Sequence, residues 1–116
     1  MITKLQQVAP KQLPGTTISY LQAEGGKELA LVSIEPNGTI PLHSHGVDAE
    51  MAIVAGSARV LSDDSDNDKE VHPGDCVLFE KNRMHGFTAG PDGLTFISRN
   101  DGIRQPDGTF DLVFAE

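Results

Sequence analysis

The sequence is poor in the residues on which several classes of protein depend. It has no tryptophan and a single tyrosine among its 116 residues, so it lacks the aromatic platform on which single-stranded nucleic acids stack. Basic residues are also scarce: 9 Lys and Arg stand against 17 Asp and Glu, which gives a net charge of −8. A negative charge of this size repels phosphate backbones and anionic membrane surfaces. We therefore expect neither a nucleic-acid partner nor a membrane partner.

Cysteine and long apolar runs are scarce as well. The lone Cys76 excludes an internal disulfide, and on its short apolar stretch it is interpreted as a small buried hydrophobe rather than a nucleophile. No stretch approaches the ~18 consecutive apolar residues of a transmembrane helix, and the N-terminus has no secretory apolar run. These absences predict a cytoplasmic protein, and the length predicts one domain over residues 1–116.

What is present is a series of short apolar bursts, divided by Gly, Pro, Asn and Asp. Their spacing of about ten residues is typical of an all-β sandwich or barrel of roughly nine or ten strands. The segment Glu28–Glu35 is the clearest strand, and because both of its faces are largely apolar we expect it to be covered on both sides. Gly56 is expected to break the next long apolar strand, with Ser57–Leu61 as its hairpin partner, and residues 90–93 are a strong turn signal.

The candidate chemistry is concentrated in residues 36–56. His43 and His45, half of the four histidines, stand one residue apart, and Glu50 follows them. Residues i and i+2 of a strand share a face, so the two imidazoles would point to one side, about 6–7 Å apart. Neutral imidazole binds Zn, Cu, Fe and Ni, and a carboxylate extends the range to Mn. The alternative is a pair of solvated loop histidines.

A second segment completes a known pattern. The first motif, residues 38–56, contains Gly38, His43, His45, Glu50 and Gly56; the second, residues 74–89, contains Gly74, Asp75, Glu80, Asn82 and His85. Together they resemble the paired motifs of the cupin superfamily. The resemblance implies an all-β barrel of the double-stranded β-helix or jelly-roll type, in which one divalent metal is held by His43, His45, Glu50 and His85.

The second motif departs from the family pattern at three positions, where Glu80, Asn82 and Ala89 replace the usual Pro, Gly and Asn. Asn tolerates a positive φ better than most residues, so Asn82 can still form the turn. In the first motif, an ungapped match to its shorter form puts Ala49 rather than Glu50 at the carboxylate position.

Strand alternation leaves the orientation of Glu50 open. If Glu50 faces inward, then Ala52 and Val54 face inward too; if it faces outward, Met51 and Ile53 fill the interior instead. A Glu50 that is not a ligand could flank the site as an acid–base group. Three histidines alone would still bind a divalent metal.

The other polar candidate residues are interpreted as ordinary surface residues. His72, outside both motifs, is expected at the surface, and Arg59 on a solvated face unless it turns inward to pair with an anionic substrate. The acidic segment 63–68 loosely resembles a calcium loop but lacks the glycine of its sharp turn, so we expect a solvated hairpin tip. The aromatic residues around the second motif are expected in the core; they are Phe79, Phe87 and Phe96.

A metal site of this kind predicts that the protein binds or converts a small molecule. Structural zinc sites are closed and usually rich in cysteine, whereas the one cysteine here lies outside the ligand set. The resemblance implies a metal-dependent oxygenase, isomerase or decarboxylase that uses one Fe, Mn, Ni, Cu or Zn ion. The alternatives are a non-catalytic small-molecule binding or sensing module and a metal-free barrel. The resemblance also implies a homodimer. Residues 1–15, the N-terminal lead-in, are long enough to be exchanged between its two copies.

Overall fold

The computed structural model describes residues 2, 4–22, 26–105 and 109–115, which form a curled, antiparallel sheet. Its nine strands are β1 (Gln6–Val8), β2 (Thr16–Gln22), β3 (Glu28–Ile34), β4 (Thr39–Ser44), β5 (Ala49–Ser62), β6 (Glu70–Val71), β7 (Cys76–Phe79), β8 (His85–Asn100) and β9 (Val113–Phe114). Within these ranges, no helix has the length and apolar character needed to span a membrane. The expectation of an all-β jelly-roll barrel is confirmed.

Two long strands organise the barrel. The 16-residue β8 pairs with β3, β4 and β5, and the 14-residue β5 pairs with β6, β7 and β8. The predicted turns at Gly56 and at residues 90–93 are therefore wrong: both segments are bends inside strands that pair with each other through register shifts. Such bulges take up extra residues and bend the strand without ending it. Gly56 has a φ of +77°, and a Cβ there would collide with the carbonyl oxygen of Gly93.

The strand β3 is covered on one face only. Ala30, Val32 and Ile34 are buried, whereas Leu29 and Leu31 remain 43% and 37% exposed. Among the described residues the expectation of cover on both faces does not hold, because β3 belongs to a single layer of sheet whose inner face meets the core.

The core follows the period-two alternation of the strands. On β5, Met51 and Ile53 face inward, which settles the alternative that the sequence left open. On β7, Val77 and Phe79 face inward, so Cys76 lies outside and is exposed, contrary to its interpretation as a buried hydrophobe. The predicted aromatic core is confirmed, with Phe79, Phe87 and Phe96 all buried.

Candidate metal centre

Three structural elements bring three histidines together inside the barrel. His43 on β4 is the direct antiparallel partner of His85, the first residue of β8. His45 lies just beyond the end of β4, and its carbonyl oxygen accepts a hydrogen bond of 2.8 Å from the backbone N–H of Asn82. Asn82 has a φ of 63°, so it supplies the turn before β8 as the sequence predicts.

A close approach of two strands sets the His43–His85 pairing. The register between β4 and β8 shifts between Ile40 and His43. At this point β4 lies so near β8 that a Cβ on Gly86 would collide with the carbonyl oxygen of Ile40 and lie 2.9 Å from that of Pro41. Sequence reasoning did not single out Gly86, although a glycine beside a candidate ligand is a signal for close backbone approach.

Each imidazole is oriented by a backbone carbonyl two residues away. The Nδ1 atoms of His43, His45 and His85 lie 2.7, 2.8 and 3.0 Å from the carbonyl oxygens of Pro41, Val47 and Arg83, respectively. A carbonyl oxygen can only accept a hydrogen bond, so each Nδ1 carries the ring hydrogen. In the neutral imidazole the other nitrogen, Nε2, then presents a lone pair.

The lone-pair nitrogens converge. One ligand atom from each of the three histidines lies within 4.8 Å of the others, and the Nε2 atoms of His45 and His85 are 2.9 Å apart. Two nitrogens bound ~2.1 Å from one ion lie about 3 Å apart when they subtend a right angle at it. The spacing and the fixed tautomers therefore fit one ion, and the three histidines could hold a metal.

Burial keeps these rings neutral. All three are buried, with His45 and His85 only 2% exposed. Desolvation lowers the pKa of His43 and of His45, and it lowers the pKa of His85 to about 3 with further repulsion from the other two rings. At neutral pH the imidazoles are therefore in the form that binds metal, with no proton on Nε2 to be displaced.

An aromatic ring fixes the orientation of His85. The ring of Phe79 is stacked on it, with centroids 3.9 Å apart and planes inclined by 9°. The ring of Phe114 lies beside His43 at a centroid distance of 6.0 Å. Rings held in this way by packing lose little further freedom when they bind a ligand.

Glu50 is not brought to the histidines. It lies on the outer face of β5, where its Oε2 is 2.6 Å from the guanidinium of Arg99. The inward position next to it belongs to Ala49, which is fully buried between Asn100 and Phe79 in the neighbouring strands. Because alternation sends the carboxylate outward, Glu50 does not join the cluster that the three histidines form.

The remaining candidates lie at the surface. His72 is exposed, as expected. Arg59 is also exposed, and its guanidinium is 3.5 Å from the carboxylate of Asp68. The acidic segment 63–68 is an exposed turn between β5 and β6, as expected for a solvated hairpin tip.

A cavity of about 60 Å³ adjoins the three histidines. Its walls are mostly apolar, and its polar lining includes Glu28, Ser98 and Asn100, which are buried and which sequence reasoning missed. Glu28 shares the inward parity of Ala30 and Val32, and this alternation was the available signal. One oxygen of Glu28 accepts a hydrogen bond of 3.1 Å from the backbone N–H of Arg104.

Comparison with known proteins identifies the family to which this fold belongs. The family model described as a cupin domain matches residues 30–97. No curated protein matches the chain. The chain resembles the polyketide cyclase RemF from Streptomyces resistomycificus, with 22% identity, a TM-score of 0.70, and coverage of 86% of this chain and 78% of that one.

Two further solved structures have the same fold. KdgF from Halomonas sp. is 21% identical, with a TM-score of 0.69 and coverage of 90% of this chain and 92% of that one. A variant of oxalate decarboxylase from Bacillus subtilis is also 21% identical, with a TM-score of 0.74; 92% of this chain matches 30% of the much longer decarboxylase.

The fold and the site define a small β-barrel that carries a cluster of three histidines in its interior. The family match spans more than half of the 116 residues, and it includes His43, His45 and His85. The chain belongs to the cupin family. At these identities, likeness to the solved structures establishes the fold and leaves the reaction open.

Proposed function

We propose that this cupin is a metal-dependent enzyme that acts on a small molecule inside the barrel. His43, His45 and His85 would hold one divalent transition metal, either Fe, Mn, Ni, Cu or Zn. The observation that carries the proposal is the hydrogen-bond arrangement: all three Nδ1 atoms are engaged by carbonyl oxygens, so all three Nε2 atoms are left to bind a shared cation.

The residues that line the cavity favour a reaction on a small molecule. The walls of the cavity are mostly apolar, and electrostatic interactions are stronger in such surroundings than in water. The volume of about 60 Å³ compares with ~10–15 Å³ for a single water on a similar measure, so it admits a small substrate or one end of a larger one. A bound metal would supply Lewis-acid or oxygen chemistry to that substrate.

The reaction class we propose is that of an oxygenase, isomerase or decarboxylase. Support comes from the structural neighbours, whose names denote a cyclase and a decarboxylase that act on small organic molecules. A homodimer and a cytoplasmic location stay predictions. Exchange of residues 1–15 also stays a prediction, since β1 pairs with β2 of the same chain in this single-chain structure.

A non-catalytic small-molecule binding or sensing module is the second candidate. Among the described residues that line the cavity, Glu28 is the single carboxylate, and one of its oxygens already accepts the N–H of Arg104. A site with so little acid–base capacity beyond its histidines suits recognition as well as turnover.

Elemental analysis of the tag-free protein tests the metal site. We expect close to one ion per chain, and loss of that ion in the His43→Ala, His85→Ala double variant. His72→Ala is the matched control, because it removes an exposed histidine outside the cluster. Glu50→Gln is the second control, and it should retain the metal because Glu50 faces away from the histidines.

Two results would contradict the proposal. One is a parent protein that takes up none of the five metals after incubation with each. The other is a double variant that keeps its ion while remaining folded by circular dichroism. With metal established, product formation or oxygen consumption by the isolated protein on a panel of small organic acids supports the enzyme, whereas saturable binding without turnover supports the binding module.

A further inference from the structure

A buried carboxylate lies in the wall of the cavity, apart from the histidine cluster. Glu28, the first residue of β3, is only 4% exposed, and it lines the same cavity as the three histidines. A glutamate is almost never buried to this degree unless it is paired. Among the described residues, none of the ion pairs includes Glu28. The described part of the chain therefore leaves this carboxylate without a cationic partner.

Strand pairing fixes where the carboxylate lies relative to the histidines. Glu28 is opposite Asn100 on β8, and Asn100 is opposite Ala49 on β5. Ala49 is opposite Phe79 on β7, whose ring is stacked on that of His85. Three strand spacings of ~4.8 Å thus separate the backbones of Glu28 and Phe79, about 14 Å along the curled sheet. Because both side chains point inward, one small molecule can contact the carboxylate and reach the histidine cluster.

The contacts of Glu28 orient its carboxylate and leave most of it available. Its Oε2 accepts a hydrogen bond of 3.1 Å from the backbone N–H of Arg104, and within the described part of the chain this is the only hydrogen bond to the carboxylate. The guanidinium of Arg104 lies over the ring of Tyr20, 4.7 Å from its centroid. A carboxylate can accept about four hydrogen bonds, so Glu28 can accept more from a bound molecule.

A hydroxyl group lies beside the carboxylate. Ser98 is opposite Ala30, two residues along β3 from Glu28, and it is buried on the same inner face. Diagonal neighbours of this kind are ~7–8 Å apart, within reach of long side chains. The Oγ of Ser98 accepts the side-chain N–H of Asn100 at 3.2 Å, and a hydroxyl oxygen has a second lone pair. Glu28 and Ser98 can therefore both accept hydrogen bonds from one group in the cavity.

We propose that Glu28 and Ser98 form a subsite that binds an ammonium group of the substrate. This inference rests on the proposed function, since the other end of the substrate would lie at the histidine cluster. An ammonium group has three hydrogen-bond donors and no acceptor, and it supplies the cation that Glu28 lacks. The volume of about 60 Å³ holds about four to six water-sized groups. The substrate class is therefore a short primary amine with an oxygen group at its other end.

A matched series of small molecules tests the preference for an ammonium group in the parent protein. β-Alanine, butanoate and β-hydroxypropanoate have equal numbers of non-hydrogen atoms and the same carboxylate, and they differ in ending with an ammonium, a methyl or a hydroxyl group. We expect β-alanine to bind at least ~10-fold more tightly than butanoate in isothermal titration, as for a hydrogen bond to a charged group. This comparison does not depend on the folding of any variant.

The Glu28→Gln variant separates recognition from the contact with Arg104. The amide oxygen of glutamine can still accept the backbone N–H of Arg104, but the charge is lost. We expect the affinity for β-alanine to fall at least ~10-fold, whereas the affinity for butanoate stays near that of the parent. A purely structural Glu28 would leave the ratio of the two affinities unchanged. Glu50→Gln is the matched control, because it removes the same charge from an exposed position on the outside of the barrel.

Propylammonium and chelator-treated protein keep this test independent of the metal site. Propylammonium has no oxygen group to place on a metal, so we expect it to bind the metal-free parent and to lose affinity in Glu28→Gln. If the parent takes up no metal but binds propylammonium in this way, the proposed metalloenzyme is wrong and the ammonium subsite stands. Metal content, measured on the same samples, identifies this case.

Any of three results would overturn the proposal. The first is that butanoate or β-hydroxypropanoate binds the parent as tightly as β-alanine. The second is that Glu28→Gln, folded by circular dichroism, binds β-alanine and propylammonium as tightly as the parent. The third is that neither amine binds the parent at millimolar concentration. If the protein holds its metal in such a case, the proposed function stands and the ammonium subsite does not.

Discussion

His45 and His85 face each other with their Nε2 atoms 2.9 Å apart, and neither ring can donate a hydrogen bond to the other while both Nδ1 atoms hold their hydrogens on backbone carbonyls. Two lone pairs at this separation repel. A cation bound between them would remove this repulsion, so metal binding would be linked to the stability of the barrel.

We therefore predict that metal binding stabilises the protein against heat. A ligand that binds only the native state adds ~2.7 kcal/mol to the free energy of unfolding at 100 times its dissociation constant. For a domain of this size that corresponds to a rise in melting temperature of roughly 10 °C. Differential scanning fluorimetry of chelator-treated protein, with and without each added metal, measures the shift.

The variant His45→Ala is the companion measurement. Loss of one of three ligands should cost at least ~100-fold in metal affinity, since even partners outside the ligand set cost 10–100-fold. Its melting temperature should then barely respond to added metal, whereas that of His72→Ala should respond like the parent. An equal response in all three proteins would show that the stabilising ion binds elsewhere.

Acid should destabilise the metal-free protein. His43, His45 and His85 have folded-state pKa values below the ordinary value of 6.5, and that of His85 is about 3, chiefly because burial disfavours the charged ring. The unfolded chain then binds more protons than the folded chain between these values. The contribution is present in full above pH 6.5 and is lost as the pH falls toward 3.

Urea unfolding of chelator-treated protein across this pH range measures the direction in which the free energy of unfolding changes. The free energy of unfolding should fall steadily as the pH is lowered below about 6.5. The slope should be shallower in the His43→Ala, His85→Ala variant, which lacks two of the titrating groups. A parent and a variant with equal slopes would show that other groups control the acid response.

The sequence predicted the barrel and the pair His43 and His45 from local patterns, and it predicted His85 through its resemblance to the paired cupin motifs. Alternating apolar residues and turn signals define strands, and the spacing of His43 and His45 places two rings on one side of a strand. The outward orientation of Glu50 was left open, because one residue of register decides which face a side chain occupies. Only the pairing of β5 with β7 and β8 fixes that register.

Other features depend on contacts between distant segments. Residues 90–93 have the composition of a turn, yet they form a bulge within β8, where its register against β5 shifts. The pattern of Leu29 and Leu31 predicts core residues, but none of the residues that the structure describes covers them. Local sequence carries no information about which of two apolar faces meets the interior.

Gly86 should be essential to the geometry of the centre. In Gly86→Ala the added Cβ would collide with the backbone of β4 at Ile40 and Pro41, and backbone cannot move aside as a flexible side chain can. We expect a loss of about 2–3 kcal/mol in the free energy of unfolding, as for overpacked cores. Metal affinity should fall ~10-fold or more, because the β4–β8 approach positions His43 against His85.

Isothermal titration with the preferred metal and urea unfolding measure the two effects separately. Thr88→Ala, two residues along the same strand, is the control and should change metal affinity little. If Gly86→Ala lost stability but bound metal as tightly as the parent, the spacing of β4 and β8 would not be what positions the ligands.

Asn100 should hold the segment that covers one end of the cavity. Its buried Oδ1 accepts hydrogen bonds from the backbone N–H groups of Gly102 and Ile103, at 2.8 and 3.0 Å, and Ile103 lines the cavity. In Asn100→Ala both donors lose their acceptor, and each partly or fully buried donor left unsatisfied costs ~1–3 kcal/mol. We therefore expect a loss of about 2–4 kcal/mol, with much faster hydrogen exchange at these two amides.

Ser98→Ala separates this role from general packing. Ser98 accepts the side-chain N–H of Asn100 at 3.2 Å but does not contact the two amides in this way. It should cost about 1 kcal/mol, the net value of one ordinary hydrogen bond, and leave exchange at Gly102 and Ile103 slow. Equal exchange in Asn100→Ala and the parent would mean that the segment stays closed without Asn100, held by contacts such as the bond from Arg104 to Glu28.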